Sequence, residues 1–343
     1  MKIHPYFKTR RFSYPKRWIQ AFCIPDLIPE EMADWADAVC YGPGQRMANS
    51  DTWRRMPFIK VAYLFPTGVV RRTSPELDPQ NFTDRMYGLA EPYIWRIDGE
   101  IFSLGKTHFI SPRYVDTWPK DYADFLIREG IRDDFDALFL DWFGPVYLQT
   151  CLMDLGLSIS EAVSYRDDYS RMLTELAVIL HRRIDLPIIS NGYWHEHAQR
   201  GTFFGKMFEG VPQWGSYFYS LFGRDRPGMV GESANPSWSA HPPMHVLYSQ
   251  THREPDNAHL ALSMILGVWY APRLKPGEVY EFAQSTDWIP ANNAVWSAMI
   301  QGGVPTFSIK RRFHQFNTGK AGLAEVTLDS SWENIISWHL PWD

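Results

Sequence analysis

Short apolar runs alternate with polar loops and amphipathic stretches along most of the chain. The runs are continuously apolar, a pattern typical of strands that are covered on both faces of a parallel sheet. The pattern predicts strands over residues 18–25, 38–41, 58–65, 107–111, 136–140, 187–191, 205–209, 228–232 and 245–249. It predicts helices over residues 29–37, 119–129 and 160–183, and the last of these carries Glu161 near its start and basic residues at its end.

Alternating strands and helices indicate either a doubly wound sheet or a (β/α)8 TIM barrel. No glycine-rich phosphate loop follows the first strand, so the dinucleotide-binding form of the doubly wound sheet loses support. The sequence therefore predicts an α/β protein of the (β/α)8 barrel class. Nine candidate strands are one too many for that fold, and residues 38–41 are the candidate we expect to be wrong.

The last part of the chain follows a different pattern. Residues 306–316 and 320–328 read as two β segments around Asn317-Thr318-Gly319. We therefore predict a basic N-terminal arm over residues 1–17, a barrel over residues 18–304, and a small C-terminal β segment, residues 305–343, packed on the barrel.

Composition places the chain among globular proteins. Its 343 residues are 45% hydrophobic and 21% charged, with a formal net charge of −5, which argues against a dedicated nucleic-acid binder. No apolar stretch reaches the roughly 18 residues of a membrane span, and no signal peptide is recognisable. Only three cysteines are present, Cys23, Cys40 and Cys151. These features favour a cytoplasmic or particle-associated protein, and the basic arm suggests an acidic protein partner.

Three acids lie at the carboxyl ends of predicted strands, where a barrel places its reactive groups. Asp141 ends the run Ala137 to Leu140, while Glu209 and Glu232 close two later strands. Two carboxylates that face each other can cleave a glycosidic bond, because one protonates the leaving oxygen while the other attacks the anomeric carbon or activates water. The sequence predicts Asp141 as nucleophile, base or cation stabiliser and Glu209 as proton donor, with Glu232 as the alternative donor.

Aromatic residues are abundant, with 15 Trp, 17 Tyr and 21 Phe. Aromatic rings can pack on the C–H faces of sugars, and polar side chains can bond their hydroxyls. The predicted substrate-binding residues lie at or near predicted strand ends: Tyr63, Arg113, Trp142, Asn191, Tyr193, Trp194, Tyr248 and Gln250. We expect the partner to be a polysaccharide or oligosaccharide.

Metal-dependent hydrolysis is a weaker alternative. His195 and His197 have ligand-like spacing, but two closely spaced histidines do not complete a coordination shell. No G-x-S-x-G motif supports a serine hydrolase. No cofactor and no metal are predicted.

Phe135 to Asp141 (FDALFLD) resembles the "fDGvflD" strand of barrel glycoside hydrolase families related to endo-α-1,4-polygalactosaminidase, with Ala137 in place of the usual glycine. Ser190-Asn191-Gly192 resembles the asparagine-rich end of the next strand, and Glu209 and Glu232 resemble two later strand-end acids. The resemblance covers about residues 60–232. It implies a barrel glycosidase with Asp141 as its strand-end acid and Glu209 as its partner.

The leading hypothesis is thus a glycoside hydrolase that uses a pair of carboxylates. The alternative is a non-catalytic protein that binds carbohydrate or serves in assembly, for example within a particle, because a barrel does not guarantee activity.

Overall fold

The computed structural model of the chain describes residues 16–20, 36–44, 50–70, 77–141, 145–191, 205–209, 246–248, 257–266, 269–271, 288–315, 321–330 and 335–341. Contacts divide the chain into two compact units. The central unit comprises Cys40–Arg55 and Lys60–Lys206, and the terminal unit comprises Met1–Val39, Met56–Ile59 and Met207–Asp343.

The described strands are, in chain order, β1 Lys16–Gln20, β2 Ala38–Tyr41, β3 Ile59–Leu64, β4 Gly68–Val70, β5 Arg96–Ile97, β6 Glu100–Ile101, β7 Ser103–Leu104, β8 Thr107–Phe109, β9 Ala137–Leu140, β10 Ile188–Asn191, β11 Gly205–Glu209, β12 Val246–Tyr248, β13 Trp269–Ala271, β14 Trp288–Gln301, β15 Val304–Gln315, β16 Ala321–Leu328 and β17 Ile335–His339. The described helices are α1 Asp51–Arg55, α2 Phe82–Ala90, α3 Trp118–Arg128, α4 Ile131–Asp134, α5 Pro145–Asp154, α6 Ile159–Ile184 and α7 Asn257–Leu266.

The central unit is built on the parallel strands β3, β9 and β10, with β9 in the middle. All four residues of β9 are buried, as a strand covered on both faces requires. The long helix α6 packs against α3 and α5 and buries an apolar stripe that includes Leu173, Leu176 and Leu180.

A small substructure separates β3 from α3. Its strands β4, β8 and β7 form an antiparallel sheet, and β5 pairs with β6. Two hydrogen bonds fix its base beside the carboxyl end of β3. The indole Nε1 of Trp118 donates to the Pro66 carbonyl at 2.9 Å, and the Ile110 N–H donates to the Thr67 carbonyl at 2.9 Å.

The terminal unit contains a second set of parallel strands, in the order β1, β13, β12 and β11. It also contains the antiparallel sheet β14-β15-β16-β17, against which α7 packs. The two predicted C-terminal segments correspond to β15 and β16, which pair antiparallel as expected. The sheet starts at Trp288, so residues 288–304, which the sequence prediction assigns to the barrel, belong to or border this sheet.

Two strand predictions need correction. Residues 38–41 form a strand with four buried residues, although we expected this candidate to be wrong. Residues 107–109 form β8, which pairs antiparallel in the small sheet and does not extend the parallel set. The prediction also missed β13. Its three residues end the apolar run 260–271, and the first half of that run belongs to α7, so helix and strand are not separated in the sequence. The candidate strand 228–232 and most of the candidate helix 29–37 lie outside the described residues.

The other long elements agree with the sequence patterns. The helix predicted over residues 160–183 is observed as Ile159–Ile184, and the one over 119–129 as Trp118–Arg128. Within the described part of the chain, no helix has the length and apolar character needed to cross a bilayer. Mixed α/β structure with parallel strands is therefore confirmed, while closure of these strands into one barrel stays a prediction.

Candidate active site

Asp141 follows the last residue of β9, as the sequence predicts. Its backbone N–H donates to the Leu64 carbonyl at 2.9 Å, which continues the parallel pairing of β9 with β3 by one residue. The residue is only 7% exposed. Because an unpaired buried carboxylate costs several kcal/mol, its oxygen atoms require hydrogen-bond donors.

Two neighbouring strands supply those donors. The Asn191 amide at the end of β10 donates from Nδ2 to Asp141 Oδ1 at 2.7 Å. The Tyr63 hydroxyl, from β3, donates to Asp141 Oδ2. One carboxylate oxygen of Asp141 therefore accepts a hydrogen bond from β10, and the other accepts one from β3. These are the two strands that flank β9.

Strand register explains this convergence. Tyr63 is level with Phe139, which lies two residues before Asp141 and therefore on the same face of the sheet. Ser190 is level with Leu140, so the following residue, Asn191, comes level with Asp141. The Tyr63 ring also stacks on the Phe139 ring, with centroids 5.9 Å apart and an interplanar angle of 29°.

Cys40 of β2 is a neighbour of Asp141 that is not among the site residues predicted from the sequence. Burial raises the pKa of the Cys40 thiol well above its ordinary value, and the negative charge of Asp141 raises it further. A raised pKa favours the neutral thiol over the thiolate, which is the nucleophilic form of cysteine. The signal in the sequence is the apolar run 38–41. A strand at these residues lies beside β3 and places Cys40 near this site.

The acid at the other end of β9 has a different environment. Asp136 Oδ2 accepts the Lys60 backbone N–H at 2.8 Å, and the Asp136 N–H donates to the Lys60 carbonyl at 2.7 Å. The Lys60 ammonium lies 3.9 Å from the same carboxylate. Burial lowers the pKa of Lys60, and Asp136 partly opposes that shift. Asp136 thus joins the starts of β3 and β9, whereas Asp141 lies at their carboxyl ends.

The remaining predicted residues have varied outcomes. Glu209 is the last residue of β11 and is level with Tyr248, the last residue of β12, as strand-end positions require. Arg113 is exposed in a short 3-10 turn, Pro112–Tyr114, after the antiparallel strand β8, and its N–H donates to Ser111 Oγ at 3.4 Å. The predicted residues outside the described part of the chain are Trp142, Tyr193, Trp194, Glu232 and Gln250.

The described residues offer no metal site. No group of three or more His, Cys, Asp or Glu side chains among them could hold a metal ion. His195 and His197, whose spacing in the sequence is ligand-like, lie outside the described residues. The structure therefore brings together Asp141, Tyr63 and Asn191. Cys40 is close enough for the charge of Asp141 to raise the pKa of its thiol.

No family model and no curated protein matches the chain. Solved structures with some likeness include the GH36 α-galactosidase AgaA from Geobacillus stearothermophilus in complex with stachyose, at 9% identity and a TM-score of 0.41 over 92% of this chain and 51% of that one. They also include the α-galactosidase from Lactobacillus brevis, at 8% identity and a TM-score of 0.39 over 95% of this chain and 47% of that one.

A third such structure is the family 1 β-glucosidase from Thermotoga maritima, at 12% identity and a TM-score of 0.29 over 64% of this chain and 51% of that one. The chain spans about half the length of these structures. Likenesses this distant carry no argument about activity, so the functional case rests on the surroundings of Asp141.

Proposed function

We propose that the protein is a glycoside hydrolase that cleaves a polysaccharide or oligosaccharide, with Asp141 as one of its two working carboxylates. One observation carries the proposal. A buried acid ends a central parallel strand, and side chains from both neighbouring strands hold its two oxygens. Reactive groups of α/β proteins with parallel strands lie at these carboxyl ends.

An ionised carboxylate fits the chemistry of glycosidic cleavage. The bond between the anomeric carbon and the leaving oxygen breaks, its electron pair stays on that oxygen, and an acid delivers a proton there. Positive charge builds up on the sugar ring. The Asp141 carboxylate either bonds to the anomeric carbon, in which case water later hydrolyses that ester, or takes a proton from a water that attacks directly.

The proton donor in this proposal comes from the sequence. Glu209 is the preferred donor and Glu232 the alternative, since each closes a predicted strand. We further propose that the fold is a (β/α)8 barrel, the class in which reactive acids lie at the carboxyl ends of the strands. Parallel pairing within each unit and the alternation of strands with helices support this arrangement.

A panel of soluble polysaccharides incubated with the purified protein tests the activity. Release of reducing ends by the parent is expected, with a loss of at least about 10³-fold in Asp141→Asn, as removal of a reacting group gives. Glu209→Gln or Glu232→Gln should show a comparable loss. Asp133→Asn changes an exposed acid near β9 and should keep parental turnover. Parental turnover in all three site variants would refute the assignment.

A non-catalytic protein that binds carbohydrate is the second candidate. The observation that favours it is the small exposure of Asp141. A buried acid with a purely structural role, joining neighbouring strands, would make the same two hydrogen bonds. Affinity electrophoresis through gels that contain the same polysaccharides separates the two functions. Retardation without release of reducing ends, together with a lower free energy of unfolding for Asp141→Asn, would support binding without catalysis.

A further inference from the structure

The hydroxyl of Tyr63 and the amide of Asn191 contact the carboxylate of Asp141 itself. We infer that Tyr63 and Asn191 are positioning residues, which orient Asp141 as a hydrogen-bond acceptor and assign the role of proton donor to another acid. This inference rests on the proposed glycosidase function and deepens it. The sequence by itself predicts sugar contacts for both residues.

The Asn191 contact restricts where Asp141 could carry a proton. The amide Nδ2 has two N–H donors and no capacity to accept. A proton on Oδ1 that pointed toward Nδ2, 2.7 Å away, would set two donors against each other. The oxygen that faces Asn191 is therefore fixed as an acceptor for as long as this hydrogen bond lasts.

The Tyr63 contact restricts the second oxygen less strictly. A phenol can donate or accept, so a proton on Oδ2 would require the hydroxyl of Tyr63 to reverse its direction. Stacking on Phe139, with ring centroids 5.9 Å apart, restricts movement of the ring that carries this hydroxyl. Donation from Tyr63 is the arrangement that satisfies both groups without such a reversal.

Both donors are neutral groups. The phenol and the amide orient the carboxylate through hydrogen bonds to both of its oxygens and bring no charge of their own. A carboxylate whose two oxygens are oriented as acceptors is suited to bond to an anomeric carbon, to accept a proton from water or to stabilise an oxocarbenium-like transition state. It is unsuited to deliver a proton.

Steady-state kinetics on any substrate that the parent cleaves distinguish positioning from sugar binding. Tyr63→Phe removes the hydroxyl but keeps the ring that stacks on Phe139. We expect a fall in kcat of about 10²-fold at nearly constant KM, because a misplaced reacting group loses rate at this order. Tyr87→Phe is the control, since Tyr87 is half-buried and its ring contacts His108. It should behave as the parent does.

Asn191→Ala should reproduce the kinetic effect of Tyr63→Phe. The double variant should lose less than the product of the two single losses, because both residues act through one carboxylate. A rise in KM at unchanged kcat in Tyr63→Phe would overturn the inference and would indicate a direct sugar contact. Unchanged kcat and KM in both single variants would also overturn it.

A measurement that needs no substrate keeps this inference separate from the proposed activity. In protein labelled with ¹³C at aspartate carboxyl carbons, the signal lost in Asp141→Asn identifies Asp141. At one fixed neutral pH that signal should move in Tyr63→Phe and in Asn191→Ala and stay in place in Tyr87→Phe. A signal unmoved by both site variants would refute the contacts, whereas a moved signal without any cleaved polysaccharide would refute only the glycosidase proposal.

Discussion

At the scale of single residues, hydrogen bonds decide what two similar acids do. Asp136 directly precedes β9 and Asp141 directly follows it, and all four residues of the strand between them are apolar. Asp136 bonds the backbone and approaches the ammonium of Lys60, while Asp141 bonds two neutral side chains. The sequence predicted the position of Asp141 because an acid that ends an apolar run is conspicuous. It did not predict the partners, since these come from residues 50 and 78 positions away.

Two buried tryptophans allow the contribution of one hydrogen bond to be measured. Trp118 Nε1 donates to the buried Pro66 carbonyl, whereas Trp95 Nε1 has no acceptor among the described residues. Both Trp118→Phe and Trp95→Phe lose ring volume, but only Trp118→Phe leaves a buried carbonyl without its donor. Trp118→Phe should therefore lower the free energy of unfolding by about 1–3 kcal/mol more than Trp95→Phe does. Urea denaturation of the two variants measures the difference. Equal losses of unfolding free energy would show that the bond contributes nothing net.

At the scale of elements, local signals in the sequence set where long helices begin. The pattern predicts α6 over residues 160–183, and the structure extends it by one residue at each end. Ser158 caps the helix, since its Oγ accepts the Glu161 N–H at 3.4 Å while Glu161 Oε2 accepts the Ser158 N–H at 3.0 Å. These two bonds form a capping box, which is a property of residues three positions apart and is therefore readable from sequence.

Ser158→Ala should lower the free energy of unfolding by about 1 kcal/mol, because it removes the N-cap acceptor of a 26-residue helix. Ser164→Ala changes an exposed serine inside the same helix and should be neutral or slightly stabilising, as alanine has the higher helix propensity. Thermal or urea unfolding of both variants makes the comparison. A cost for Ser164→Ala equal to that for Ser158→Ala would contradict a specific role of the cap.

A close approach of two backbone segments in the C-terminal sheet requires glycine. A Cβ atom on Gly322 in β16 would lie 2.2 Å from the Pro341 carbonyl oxygen. Gly322→Ala should therefore displace the segment at Pro341 and destabilise the sheet by about 1–3 kcal/mol, the usual cost of overpacking. Hydrogen exchange of the β16 and β17 amides, alongside urea denaturation, would register the change. Parental protection of those amides in Gly322→Ala would contradict the displacement.

At the scale of the whole molecule, ionisable groups limit stability at both ends of the pH range. Hydrogen bonds from Arg183 and from Ser158 lower the pKa values of Asp124 and Glu161, respectively. Carboxyls with lowered pKa values stabilise the fold above their unfolded pKa values near 4, and this contribution is lost as the pH falls through the folded values. The raised pKa of Cys40 acts in the opposite direction: its contribution is present below about pH 8.5 and lost as the pH rises.

We accordingly expect the free energy of unfolding to be highest between about pH 5 and 8. Cys40→Ala should reduce the decline between about pH 8.5 and 10 and leave the acid side unchanged, and Arg183→Gln should reduce only the decline below about pH 4. Lys60 is present in parent and Cys40→Ala alike, so its lowered pKa cancels in that comparison. Urea denaturation at a series of pH values gives the curves. Parallel curves for parent and Cys40→Ala would contradict the role given to the thiol.

The sequence by itself determined the mixed α/β class, the extents of α3 and α6, and the strand-end positions of Asp141 and Glu209. Each depends on hydrophobic period, capping or the order of residues along a strand, which are local properties. Only the tertiary structure decided that residues 38–41 are a strand, that 107–109 pair antiparallel, and that the C-terminal sheet starts at Trp288. Only the tertiary structure brings Tyr63 and Asn191 within hydrogen-bond distance of Asp141, because pairing partners and register arise from contacts between segments far apart in the chain.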